Sequence, residues 1–183
     1  MSQSIVFLAP SPSDASRSAF IAHVVASDVQ RAGCHPAFFS LRDFEPADVL
    51  FGRSTAPGVA RFIEATKAAA ALVLATPVYK ATYAGALKAI VDLIPPDALV
   101  DKPALGISTA RVATHAIGVN QAYVALFGFF RARAQDALFV SDDELQFAGG
   151  AGVLSIDAEQ RVRKAARVLV QAVYDATQAV PQP

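Results

Sequence analysis

Between Ala9 and Ser18 the chain places Ser11, Ser13, Ser16, Arg17 and Ser18 in one short stretch. If that stretch joins a strand to a helix, the free backbone N–H groups of the helix start and the helix dipole favour an anion there. Hydroxyls donate to phosphate oxygens, and a guanidinium pairs with them. The same serines would equally serve as helix caps. The stretch has neither a G-x-G-x-x-G fingerprint nor a G-x-x-x-x-G-K-S/T loop, which excludes the dinucleotide-fingerprint and Walker readings.

A second stretch, Thr76 to Lys88, carries Pro77, Tyr79, Lys80 and Tyr83. A rigid loop with two tyrosines could offer backbone amides and an aromatic flank to a flat ring. An ordinary strand-to-helix turn with packed tyrosines reads the same way. A third, Ser108 to His115, ends on a histidine that could move protons. With no carboxylate or nucleophile beside it in sequence, His115 reads better as a capping or structural residue. Asp142-Asp143-Glu144 invites a metal reading, but a three-acid run on a loop is more simply a solvated turn. Cys34, the one cysteine, reads as a packed thiol. No G-x-S-x-G elbow supports a hydrolase.

The composition limits what these residues can belong to. Of 183 residues, 54% are hydrophobic and 17% charged, which suits one folded domain and excludes a disordered chain. Lys plus Arg equals Asp plus Glu at 16 each, so the basic surplus of a nucleic-acid binder is missing. One cysteine allows no internal disulfide and no cysteine-based zinc site, in keeping with a cytoplasmic protein. The N-terminus has no basic region ahead of its apolar run, and the apolar stretch Ala68–Tyr79 is too short to span a bilayer. Residues 1–178 are expected to form one domain, with 179–183 a frayed tail.

The elements that would position these stretches recur every 32 to 34 residues or so. Apolar runs begin near Ile5, Ala37, Ala71, Ala104 and Ala137. They are continuous rather than alternating, as in strands buried on both faces of a parallel sheet. The intervals hold helices expected at Ser16–Ala32, closed by Gly33, then Pro57–Ala70, Ala84–Ile94, His115–Ala132 and Asp157–Thr177. Asp157 with Gln160 three residues on is expected to form a capping box. Five strand–helix units predict a doubly wound α/β sheet, with ligands outside the carboxyl ends of its strands.

On these residues the chain resembles a family. The segment Thr76 to Lys88 is similar, almost position for position, to the TPVYKAxYxGxLK signature of NAD(P)H-dependent FMN reductases, most like those of alkanesulfonate systems. Ser11-Pro12, Ser16-Arg17-Ser18, the Leu87 to Leu93 helix and the Asp142-Asp143 loop extend the likeness along nearly the whole chain. The resemblance implies a flavodoxin-like fold, a five-stranded parallel sheet of order 2-1-3-4-5 with helices on both faces. It implies FMN as cofactor and NADPH or NADH as co-substrate. Ser11, Ser16, Arg17 and Ser18 would hold the FMN phosphate. Pro77, Val78, Tyr79 and Lys80 would cradle the isoalloxazine, and Thr109, Ala110 and Arg111 would flank its other side. The implied chemistry passes hydride from the nicotinamide to the flavin with no obligatory side-chain acid or base. Reduced flavin would then serve a partner monooxygenase of sulfonate-type sulfur assimilation. The alternatives are an FMN-containing reductase of quinones, azo dyes or chromate, an electron-carrying flavodoxin, and a scaffold that has lost its flavin.

Departures from the family pattern mark particular positions. Pro10 stands in place of glycine, and Ser13 in place of arginine, which removes one charge-assisted phosphate contact. Ala110-Arg111 replaces a Gly-Gly pair, so side chains stand where a ring would approach, and Arg111 could reach a nucleotide phosphate. Gln121 stands where the flavin-supplying branch carries an aromatic residue or histidine in a disrupted helical turn.

The helix from His115 also predicts assembly. Val119, Tyr123, Leu126 and Phe130 form one apolar stripe, while Val124, Phe127, Phe129, Ala122 and Ala125 widen it nearly all round. In a monomer, Val124, Phe127 or Phe129 would face water. The expectation is a homo-oligomer, a dimer or a homotetramer as in the resembling family, dissociated by Phe127→Glu.

Overall fold

The strands of the central sheet carry apolar residues without alternation because helices cover both of its faces. The structure is a computed structural model that describes residues 3–178; the tail at 179–183 lies outside the described residues. In chain order it contains β1 (Ser4–Ala9), α1 (Arg17–Arg31), β2 (His35–Ser40), α2 (Pro46–Leu50), α3 (Pro57–Ala68), β3 (Ala71–Tyr79), β4 (Thr82–Tyr83) and α4 (Gly85–Val91). Then follow β5 (Pro103–Ala110), α5 (His115–Phe129), β6 (Arg133–Ala134), β7 (Leu138–Ser141), β8 (Leu145–Ala148), β9 (Ala151–Leu154) and α6 (Ile156–Gln178). Single 3-10 turns occupy Leu41–Asp43 and Asp142–Glu144.

The sheet runs β2-β1-β3-β5, with β6 and β7 as successive parts of the last strand beside β5. These pairings are all parallel. The five expected strands are therefore β1, β2, β3, β5 and β7 in the expected order. Alternate strand residues supply two cores. Ile5, Phe7, Val73, Leu105 and Ile107 meet Ile21 and Val25 of α1 and Val162 and Leu169 of α6. Val6, Leu8, Leu72 and Leu74 meet Phe62 of α3, Leu87 of α4 and Val119 and Tyr123 of α5. Tyr123 lies flat against β5 at Gly106, where a Cβ would fall 2.5 Å from its ring. Its buried hydroxyl donates to the Leu74 and Ile107 carbonyls at 3.1 and 3.0 Å, tying α5 to two neighbouring strands.

Helix ends follow local chemistry. Ser16 caps α1 by accepting from the Ala19 N–H at 3.2 Å, and Gly33 turns the chain out of it at φ +88°. The capping box expected at Asp157 is not formed. Ser155 occupies the cap instead, accepting from the Ala158 N–H at 3.3 Å, so Asp157 lies in the first turn. Two cap residues two positions apart compete, and the β8–β9 hairpin delivers the chain to the earlier one. Within α5, Val119, Tyr123 and Leu126 face the core as expected, and Val124 and Phe129 stand 69% and 66% exposed. Phe127 corrects the expectation: it is 1% exposed and stacks on Tyr123 at 5.6 Å between ring centres, inside the chain's own core. Helix α5 continues through Gln121 without a disrupted turn.

Candidate functional site

The carboxyl ends of β1, β3, β5 and β7 point the same way, and the loops leaving them enclose an open cavity of about 250 Å³. Ser11, Ser16, Arg17, Pro77, Val78, Tyr79, Thr109, Ala110 and Arg111 line it, together with Ser13, Ala15 and Asp142. Eleven positions were singled out from the sequence, and only Ser18 and Lys80 are missing from this lining.

The β1–α1 loop is wired by its own serines. Ser11 is buried and its hydroxyl accepts from the Ser13 N–H at 3.3 Å. Ser18 lies behind the loop, 1% exposed, with its Oγ 3.1 Å from that of Ser16. Arg17 is the first residue of α1, where the helix leaves N–H groups free. Its Nε is shielded from solvent and makes no hydrogen bond. The guanidinium carbon sits 5.5 Å over the ring of Phe147 in the β8–β9 hairpin. Asp142 Oδ1 lies 3.5 Å from Nε. The loop's own acid, Asp14, pairs with Arg42 outside the cavity.

The second wall is a hairpin. Val78 and Tyr79 of β3 pair antiparallel with Tyr83 and Thr82 of β4. The two residues between them, Lys80 and Ala81, have φ of +50° and +67°. Positive φ at both central residues is the geometry of a type I′ turn, which usually recruits Asn-Gly. Here Lys-Ala adopts it, so the surroundings hold the turn in place. Thr76, fully buried, accepts from the Ala84 N–H at 2.9 Å and donates to the Pro77 carbonyl at 2.9 Å. Gly118 of α5 lies against the Ala81 carbonyl so closely that no Cβ would fit. Tyr79 is half exposed at the cavity edge, and Lys80 at the tip is exposed and not among the lining residues.

The third wall comes from the ladder register. Ala110 of β5 pairs with Ser141 of β7, so the next residues, Arg111 and Asp142, leave the sheet side by side. Ser141 donates from N and Oγ to the Glu144 carboxylate at 3.0 and 2.9 Å, and Arg161 of α6 holds Glu144 at 2.8 Å. Burial pushes the Glu144 carboxyl up. The hydrogen bonds from Ser141 and the pairing with Arg161 outweigh it and hold the group below its ordinary value. The three acids are thus a tethered turn, and no metal-holding cluster occurs among the described residues. In the sequence Asp142 stands in an acid run and in a loop that shares the family likeness, without a place in the site; its position directly after the last strand is the signal that it borders the cavity. His115 opens α5, exposed and outside the lining. Cys34 is 1% exposed beneath α1, and burial pushes its thiol up, so it is a core residue.

The strand order and the placement of the cavity define a flavodoxin-like protein. Residues 4–145 match the model of the NADPH-dependent FMN reductases, and the chain belongs to that family. Relatives include FMN reductase (NADPH) of Pseudomonas putida, 33% identical over 80% of this chain and 75% of its own. FMN reductase (NADPH) of Escherichia coli is 33% identical over 70% of this chain and 68% of its own. Among solved structures, apo NADH:FMN oxidoreductase (EMOB) superposes with a TM-score of 0.83 at 26% identity, covering 92% of this chain and 89% of that one.

Proposed function

We propose that this chain transfers reducing equivalents from NADPH or NADH to FMN, and that the cavity at the strand ends is where the flavin sits. The observation that carries the reading is the pairing of two unlike halves in one cavity. On one side are serine hydroxyls, a helix start and an arginine whose shielded Nε makes no hydrogen bond; on the other are Pro77, Val78 and Tyr79. The residues fit a mononucleotide with an anionic end and a flat apolar end. When bound, the isoalloxazine supplies the hydride acceptor, N5, that no side chain provides.

Ser11, Ser16 and Arg17 bind the phosphate, with Ser18 fixing Ser16. Val78 and Tyr79 set the plane of the ring through the pinned hairpin, with Lys80 at its tip. Thr109, Ala110 and Arg111 close the opposite side. The residues orient the flavin and leave the cavity mouth open for the nicotinamide. Reduced flavin passes to a flavin-dependent monooxygenase. The protein works in the cytoplasm, where its co-substrate is made, and as a homo-oligomer, a dimer or tetramer, through the exposed apolar residues of α5. No helix of the described residues is long and apolar enough to cross a membrane.

The test is steady-state oxidation of NADPH and NADH by the purified chain with and without added FMN, alongside a flavin titration. Turnover that depends on FMN, with saturable FMN binding, is expected. Equal turnover in flavin-free protein and buffer overturns the proposal.

A further inference from the structure

Asp142 is the one carboxylate lining the cavity among the described residues, and it stands against the one arginine of the phosphate loop. Three features make its place fixed rather than incidental. The β5–β7 register puts residue 142 at the sheet end. The Ser141–Glu144 capping box tightens the turn that carries it. Arg161 anchors that box to α6.

The contact with Arg17 is coulombic only. The 3.5 Å separation carries no hydrogen bond, and Nε is left without one. Asp142 therefore does not aim the guanidinium as a bidentate partner would. The Phe147 ring, 5.5 Å beneath the guanidinium carbon, supports the group instead. The carboxylate is therefore a second anion beside the arginine that faces the phosphate loop.

Resting on the reading that the FMN phosphate occupies the β1–α1 loop, we infer that Asp142 competes with that phosphate for Arg17 and so keeps FMN exchangeable. When the phosphate arrives, Arg17 must share its charge between two anions, and the carboxylate and phosphate repel each other across it. Both effects lower affinity relative to an uncharged residue at 142. Both act on the phosphate and not on the ring. Asp142 is thus a residue that sets flavin release, which suits a protein whose product is reduced flavin that leaves.

The experiment titrates the purified full chain with FMN and with riboflavin, which lacks the phosphate, following flavin fluorescence at low and raised salt. Parent, Asp142→Asn and Asp142→Ser are compared, with thermal melts to confirm that each folds. Both variants are expected to tighten FMN about two- to fivefold, the scale of a half-exposed charge pair, and to slow its dissociation. Riboflavin affinity should stay put, and the gain should shrink at raised salt. An FMN Kd that is unchanged or raised in a folded variant, or a riboflavin Kd that moves equally, overturns the inference. If the parent binds FMN no better than riboflavin, the phosphate-loop reading fails instead; if it binds neither, the proposed function fails.

Discussion

Gly118 of α5 lies directly under the carbonyl of Ala81 at the tip of the β3–β4 hairpin, and a Cβ at position 118 would fall well inside contact distance of that oxygen. The hairpin tip has φ above zero at both Lys80 and Ala81, so the backbone does not choose this turn unaided. The helix face and the buried Thr76 hydrogen bonds hold it. The conformation of the wall beside Tyr79 is therefore a tertiary property, set by an element 35 or so residues away.

That relation gives the first prediction. Gly118→Ala forces either α5 or the hairpin to move, at a cost of about 1–3 kcal/mol for overpacking against backbone. The displacement falls on the hairpin because α5 is anchored by Tyr123 to two strands. The expected result is weaker binding of FMN and riboflavin alike, with a lowered denaturation midpoint. Unchanged affinity for both would show that the hairpin does not shape the ring site.

Arg17 separates the other half of the site from the ring half. Arg17→Ala should weaken FMN by about 1.5–3 kcal/mol, the scale of hydrogen bonds to a charged group, and leave riboflavin nearly unaffected. The variant also leaves the Asp142 carboxylate facing the phosphate without its cation, which places the loss toward the upper end. A flavin titration showing equal losses for the two ligands would remove Arg17 from the phosphate site.

The sequence made the fold legible because its strongest signal, continuous apolar runs at even spacing, has one physical solution, a parallel sheet covered on both faces. The segments that follow β1, β3 and β5 were legible because ligands of such a sheet lie outside its strand ends, and the family resemblance then marked nine of the twelve lining positions, Ser11, Arg17 and Tyr79 among them. What stayed hidden depends on three-dimensional register. Asp142 borders the cavity only because Ala110 pairs with Ser141. The type I′ turn at Lys80-Ala81 carries no Gly or Asn to announce it. Phe127 reads as a surface position on a helical wheel, yet the chain after α5 folds back over it. Helix α2 and the β8–β9 hairpin are short elements whose patterns are too brief to register.

Acid should loosen the turn that carries Asp142. The folded-state carboxyl of Glu144 lies below its ordinary value, so its contribution to stability is fully present above the unfolded pKa, about 4.3. It is lost as pH falls through the folded value. Glu144→Gln should therefore cost about 1–2 kcal/mol at neutral pH and progressively less below about pH 4. Urea midpoints of parent and variant across that range check it. A gap that stays constant with pH would show that Glu144 acts by shape alone.

Assembly depends on which apolar residues of α5 remain outside the monomer's core. Ile117, Val124 and Phe129 are each about two-thirds exposed, whereas Phe127 is enclosed by Tyr123 and its neighbours. The two kinds of position should respond differently to the same charge. Phe129→Glu or Val124→Glu removes an apolar contact between copies while leaving the interior intact, so the chain should stay folded and become monomeric. Phe127→Glu places an unpaired carboxylate in the core, which costs several kcal/mol and should unfold the chain rather than dissociate it. Light scattering after size exclusion, paired with circular dichroism, reads both outcomes at once. A parent chain that runs as a monomer at micromolar concentration would refute the oligomer. A parent oligomer that Phe129→Glu and Val124→Glu leave intact would move the interface away from α5.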